Sequence, residues 1–349
     1  MSSSLLDSAT GVPTSMPVPQ ARGPLSATLV SILRSSADPR ELTAATDAYE
    51  DARSIDPTYD ILRDDDAQLT LTLLYELHLQ GIENVSDEWE WNPDLLAVRS
   101  RLEARFEPGI AELVGEVPSS GDVVADLWAT TAPSAGPGLA SFMAKDATVD
   151  QFAEVLIHRS LNQLREADVH TLGISRLSGA VKAALVEVQS DEYGGGRAER
   201  MHSRLFADTM RAVGLSDRYG HYIDAVPAVT LASLNALSLF GFHRRHLGTL
   251  VGHLCAVETT SALPSKRYSA GLRRLGFGSD ATLFYDEHVE ADSVHEQIAV
   301  RELAGGLASS QPHRTDDILF GAAACLAFDD LLGDHLTSSW EKGETSLRE

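Results

Sequence analysis

The sequence predicts an all-α protein. Apolar residues recur at spacings of three and four in segment after segment, and the alternating Val/Ile/Thr runs of half-buried strands hardly occur. Hydrophobic residues make up 43% of the 349-residue chain, enough for one large helical core or two ordinary ones.

Taken in order, residues 1–23 are rich in Ser, Thr, Pro and Gly, lack a basic stretch followed by an apolar one, and read as a disordered tail. The periodicity then predicts helices near 24–35, 38–54, 66–80, 93–115 and 121–130, an acidic region that includes the aromatic cluster DEWEWNP at 87–93. The small-residue tract TTAPSAGPG at 130–138 reads as a linker and divides the chain softly into a helical extension, 24–138, and a second domain, 139–349. Further helices are expected near 148–166, 177–214, 218–242, 244–260, 264–275, 280–308 and 313–343. One of these is anomalous. Three glycines, Gly194, Gly195 and Gly196, interrupt DEYGGGRAERMHSRLF at 191–206, and they weaken a helix by roughly 3 kcal/mol relative to alanine.

Charge and cysteine usage exclude several classes. With 28 Lys+Arg against 51 Asp+Glu the formal net charge is −23, which argues against a nucleic-acid partner. Cys255 and Cys325 lie far apart without CxxC spacing, as expected of free thiols in a reducing compartment, and rule out a zinc knuckle. No apolar window approaches the ~18 residues of a membrane span. The chain therefore reads as cytoplasmic.

The chemistry lies in two helical segments. At about 100° per residue, Glu192, Glu199 and His202 project from one helical face, and so do His288, Asp292 and His295. Glu199-x-x-His202 and Asp292-x-x-His295 are thus two carboxylate-x-x-His units on separate helices, a pattern that supplies ligands to paired iron or manganese ions in helical bundles. Glu166, near the end of the 148–166 helix, is the candidate further acid. Oxygen and imidazole donors suit iron or manganese, and no cysteine competes.

At these residues the sequence resembles the heme-oxygenase-like diiron oxidases and oxygenases, the iron-containing redox enzymes. That family's pattern is a Glu on a first core helix, E-x6-E-x2-H on a second and H-x3-D-x2-H on a third. Glu166, then Glu192, Glu199 and His202, then His288, Asp292 and His295 match it in order. The resemblance covers roughly 140–345, and the upstream region is similar to the helical extension of longer members, which in relatives contributes to dimerisation.

The resemblance implies a heme-oxygenase-like multi-helical bundle that uses no heme. It implies two Fe(II) ions, O2 as co-substrate, a small-molecule substrate, and room for an external electron donor and a homodimer. The implied assignment gives one iron Glu166, His202 and His295 and the other Glu192, His288 and Asp292, with Glu199 bridging, and puts Glu192 and Glu199 at the catalytic chemistry. In some relatives a ligand-bearing helix moves and the second iron binds weakly until substrate or O2 arrives. Three imidazoles and four carboxylates carry a formal charge of about −4 against about +4 for two ferrous ions, so the loaded site is neutral and can be buried.

Around the ligands, Glu258 stands in the apolar stretch GHLCAVETTS and needs a partner, so it either orients a ligand histidine or makes a buried ion pair. His158, two turns before Glu166, either reaches the site or sits half exposed. Tyr193 either lines the cavity or fills the core. The glycines between Glu192 and Glu199 are expected to act as a wall or hinge of the site, or else to form a loop between two shorter helices. Members of the family include N-oxygenases and enzymes that cleave C–C bonds, so the reaction does not follow from the ligands. A non-catalytic iron-binding or interaction protein and a ferritin-like carboxylate bundle remain open, the extra imidazole of His288 favouring the heme-oxygenase-like core.

Overall fold

The computed structural model describes residues 15–35, 37–56, 58–133 and 138–348, with the side chains of 290–294 outside the described set. Helices α1 (Pro24–Ser35), α2 (Arg40–Ser54), α3 (Asp65–Glu76), α4 (Pro93–Val114) and α5 (Val123–Thr130) precede the linker tract. After it come α6 (Leu139–Lys145), α7 (Val149–Gln163), α8 (Asp168–Thr171), α9 (Gly179–Glu192), α10 (His202–Val213), α11 (Ala228–Phe242) and α12 (Leu247–Thr260). The chain ends with α13 (Ala262–Arg274), α14 (Ser279–Gln297), α15 (Gly305–Ser310) and α16 (Thr315–Glu341). Among the described residues there is no strand, only an isolated bridge between Met16 and Ile82. The protein is all-α, as its periodicity predicts.

Local sequence sets the starts of four helices. Asp64, Asn92 and Asp122 each accept hydrogen bonds from two backbone N–H groups in the first turn of α3, α4 and α5, and Thr148 with Gln151 forms a capping box on α7. Pro93 opens α4, where its missing N–H has no helical partner to lose.

Packing is organised around α11, which is buried on nearly every side and is accordingly apolar all round. One apolar cluster runs from Leu69 and Leu73 of α3 and Leu102 of α4 through Leu231 and Phe240 of α11 to Phe328 of α16, so the N-terminal extension and the second domain share a core. Buried polar contacts cross the same boundary: Asn235 donates to the Gln68 carbonyl at 2.9 Å, and the Tyr219 hydroxyl donates to Glu76 at 2.9 Å. Helices α12 and α16 cross at glycines. A Cβ on Gly252 would lie 1.8 Å from the Ile318 carbonyl oxygen, and one on Gly321 would lie 2.0 Å from that of Thr249.

Several expected helices differ in detail. The predicted 177–214 helix is broken: α9 stops at Glu192, two 3-10 turns cover Gly194–Gly196 and Ala198–Arg200, and α10 starts at His202. The reason is backbone hand, since Gly194, Gly195 and Gly196 take φ of +66°, +61° and +79°, values that no L-residue helix sustains. The 218–242 helix begins only at Ala228, because Pro227 lacks the N–H that an interior residue must donate. The 280–308 helix is α14 and α15 joined by a π-helical stretch, Ile298–Ala304, where the Cys255 thiol donates to the Ala299 carbonyl at 3.1 Å. The short α6 and α8 were not anticipated. Of the expected N-terminal tail, residues 1–14 lie outside the described set, whereas Met16 is buried and exchanges backbone hydrogen bonds with Gly81 and Glu83.

The helix crossing makes a test of packing. Gly252→Ala should cost about 3 kcal/mol or more through overpacking against backbone, whereas Gly333→Ala, on a part of α16 with nothing within 4 Å of the added methyl, should gain up to about 1 kcal/mol. Urea denaturation of both variants checks the contrast.

Candidate metal centre

Five chain segments deliver acids and imidazoles to one region of the interior. Glu166 follows the end of α7, Glu192 is the last residue of α9, His202 is the first of α10, Glu258 lies on α12, and α14 carries His288 and His295. Glu192, His202, Glu258, His288 and His295 are buried, and Glu166 is half-buried.

They form two groups in which each residue offers a ligand atom within 4.8 Å of the others: Glu166, His202 and His288 in one, Glu192, Glu258 and His295 in the second. Glu192 links them, its Oε2 standing 2.9 Å from His202 Nδ1. The His202 and His288 rings lie 4.4 Å apart, and His288 Nε2 is 3.9 Å from Glu166 Oε1. His295 Nδ1 is 3.3 Å from Glu258 Oε2.

Orientation of the imidazoles favours ligation. The Nδ1–H of His288 donates to the Phe284 carbonyl at 2.7 Å, one turn back on α14, which fixes the ring and leaves Nε2 facing the site. The Nε2–H of His295 donates to Asp191 at 2.9 Å, which leaves Nδ1 toward Glu258. Asp191 was not anticipated; it sits beside Glu192 in sequence, and only the end of α9 brings it over His295.

The close contacts are poorly aligned as hydrogen bonds. Glu192 Oε2, His202 Nδ1 and His295 Nδ1 are buried and have no aligned hydrogen-bond partner. Two ligand atoms each about 2.1 Å from one ion and at right angles to each other lie about 3 Å apart. The 2.9 Å separation of Glu192 and His202 is that distance. The residues present therefore fit a divalent ion better than they fit each other.

Titration behaviour follows from the crowding. Burial pushes the His202 imidazole down, but its contact with Glu192 and the charges of Glu166 and Glu258 outweigh this and raise it to about 9. Burial likewise opposes charge on His295, and Glu258 and Asp191 raise it to about 9. Burial, reinforced by the charge of His202, lowers His288 to about 4. Glu192 is pushed up by burial but held below its ordinary value by His202, His288 and His295, while burial leaves Glu258 raised despite His295. In the metal-free protein the two imidazolium groups offset the buried carboxylates that a cation would neutralise.

Several expected site residues lie elsewhere. Glu199 is exposed on the Ala198–Arg200 turn and belongs to neither group, because the break at the glycines removes the helical face it was to share with Glu192 and His202. The Asp292 side chain is outside the described residues. The expected pairing of ligands also changes: His288 joins Glu166 and His202, and His295 joins Glu192. Seven residues along α14 put the two imidazoles about 10 Å apart on the axis, so they meet different neighbours. Glu258 stands against His295, as its burial in an apolar helix required. His158 is neither exposed nor at the site. It is buried between Thr230 Oγ1 at 2.6 Å and Ser346 Oγ at 3.0 Å. The Tyr193 hydroxyl turns to Asp168 at 2.9 Å and Thr171 at 2.9 Å.

Two spaces adjoin the ligands. An open cleft of about 450 Å³ is lined by Asp191, Gly194, Gly195, Arg197, Arg200, His202 and Glu287, so the glycine run forms part of a wall leading to His202. A more enclosed cavity of about 50 Å³ has Glu166, Glu192, Glu258 and His288 in its lining.

A family model for an iron-containing redox enzyme matches residues 153–330, just over half of the chain. The chain belongs to that family. The matched stretch contains every residue of the two groups, and the heme-oxygenase-like bundle read from the sequence stands with this membership. No curated protein matches the chain. Two solved structures of a CADD-like protein of unknown function from Nostoc punctiforme are similar to it, one at 17% identity and TM-score 0.46, covering 67% of this chain and 96% of that one. The other is 15% identical at the same TM-score of 0.46, covering 69% and 97%. Among the described residues no helix is long and apolar enough to cross a membrane.

The raised imidazoles give a pH test of this iron-family site. With folded values of about 9 above the ordinary 6.5, His202 and His295 contribute stability to the metal-free protein that is complete below pH 6.5 and lost as pH rises through 9. Thermal melts of metal-free protein should therefore fall between pH 6.5 and 9, and Fe(II) binding near pH 7.5 should release protons, measurable by calorimetry in buffers of different ionisation enthalpy. Melts that rise over that interval, with no proton release, would contradict the assignment.

Proposed function

We propose that this chain is an O2-dependent non-heme diiron oxidoreductase, an oxidase or monooxygenase that acts on a small metabolite by N-oxygenation or oxidative C–C cleavage in a biosynthetic pathway. The observation that carries the reading is the pair of buried acid–imidazole groups joined through Glu192, with ligand atoms 2.9 Å and 3.3 Å apart and no aligned hydrogen bonds between them. Glu166, His202 and His288 would hold one ferrous ion and Glu192, Glu258 and His295 the second, with Glu192 placed to reach both. Ferrous ions there would supply the reducing electrons for O2.

The chain's own residues then have separate tasks. Phe284 and Asp191 orient the imidazoles of His288 and His295 through their other ring nitrogens. Helices α9, α12 and α14 exclude bulk water from Glu192, Glu258 and His295, all of which are buried. The cleft walled by Gly194 and Gly195 gives small reactants access to His202. The open cleft of about 450 Å³ that reaches His202 is of a size to take a small substrate, which supports turnover over a storage or scaffold role.

Anaerobic Fe(II) titration tests the reading. The protein should bind two equivalents and develop a transient visible band on exposure to O2, whereas His288→Ala and Glu258→Ala should each lose about one equivalent. Less than one equivalent in the unaltered protein, with candidate substrates present, would remove the diiron assignment. The same titration separates Glu199: iron content unchanged in Glu199→Ala takes that residue out of the ligand set, and loss of one equivalent puts it in.

A further inference from the structure

The chain between Glu192 and His202 is a strap whose two ends are held in different ways. At its start the Tyr193 hydroxyl donates to Asp168 at 2.9 Å and lies 2.9 Å from the Thr171 hydroxyl, which ties this end to α8. At its far end Arg200 Nη2 donates to Glu287 Oε1 at 3.0 Å, and that ion pair ties the strap to α14. The Arg200 side chain is 54% exposed and that of Glu287 29%. Between the anchors Gly195, Gly196, Arg197, Ala198 and Glu199 are exposed. Gly194 is buried against the far end of the strap, where an added Cβ would lie 2.7 Å from the backbone of Arg200 and Met201.

Arg200 and Glu287 both line the open cleft of about 450 Å³, one from the strap and the other from α14, so the ion pair joins two walls of the passage to His202. His202 lines the same cleft and yet is only 2% exposed. Glu287 precedes His288 directly, and Arg200 stands two residues before His202, so each partner is fixed beside a group of the metal centre. An exposed pair of this kind holds by a small free energy and weakens as salt screens it. Its rupture leaves no buried charge behind, because both partners turn to water. The glycines let the strap change course without strain on a side chain, while Leu205 and Phe206 keep α10 in the core.

We propose that the Arg200–Glu287 ion pair is a latch on the metal centre. Closed, it pins the strap to α14 and keeps His202 covered. Open, it frees the far end of the strap, which turns at the glycines and widens the cleft for ions and reactants, while Tyr193 holds the Glu192 end in place. As a control on reactants the latch rests on the diiron reading; as a control on access to His202 it stands without it.

The test follows anaerobic transfer of iron from Fe(II)-loaded protein to bipyridine at about 0.05 M and about 0.5 M KCl, a change that screens an exposed pair. Transfer from the unaltered protein should be about two- to fivefold faster at the higher salt, and Arg200→Gln should transfer at the faster rate in both. The charge-swapped double variant, Arg200→Glu with Glu287→Arg, should restore slow, salt-sensitive transfer, which an arginine needed only for packing would not allow. Equal rates in the unaltered protein and Arg200→Gln, or a salt response that survives in Arg200→Gln, overturns the proposal. If circular dichroism shows Arg200→Gln to be unfolded, Glu287→Gln decides by the same criteria. A second arm needs no iron: carbethoxylation of His202 by diethyl pyrocarbonate in metal-free protein, read by peptide mass spectrometry, should speed up by a similar factor in Arg200→Gln, with the exposed His221 unchanged as the reference. That result in a protein that binds no iron sinks the diiron reading and leaves the latch standing. Unchanged labelling of His202 is contrary to the latch whatever the iron content.

Discussion

Burial of acids and imidazoles at one point of the helical interior is the constraint on which the rest of this structure turns. Glu192, Glu258, His202, His288 and His295 are all buried, and such groups are tolerated only when their charges are matched. Protons on His202 and His295 supply part of the match in the metal-free protein. Divalent ions supply it more fully, and the contacts that fail as hydrogen bonds have the spacing of neighbouring ligands on one ion.

Bringing five segments to one point imposes costs elsewhere in the backbone. Helix α9 must end at Glu192 and α10 must begin at His202, and the intervening chain turns through three glycines in the left-handed region. The same glycines leave no side chain on one wall of the open cleft. Helix α14 presents His288 and His295 two turns apart and then loosens into a π-helical stretch against Cys255. Helices α12 and α16 approach so closely that only glycine fits at the crossing.

The N-terminal extension is tied into this arrangement. It shares an apolar cluster with α11 and α16, and Glu76 sends its carboxylate through Tyr219 toward Arg165. A helical addition that looked separable by composition thus touches the residues that border the cavity.

Much was legible in the sequence, and for local reasons. Helix class follows from apolar spacing, the starts of α3, α4, α5 and α7 from capping side chains, and the candidate ligands Glu166, Glu192, His202, His288 and His295 from carboxylate and imidazole spacing within single segments. Glu258 was visible only as a charge without a partner in an apolar helix. Glu199 stands apart from the other ligands here because angular arithmetic assumes a continuous helix, and the sign of φ at Gly194–Gly196 is a choice that the glycines permit but do not dictate. Which ligands share a group and the reach of Asp191 to His295 are relations between segments distant in sequence. Spacing along a chain fixes which side chains can share a face; only packing decides what that face meets.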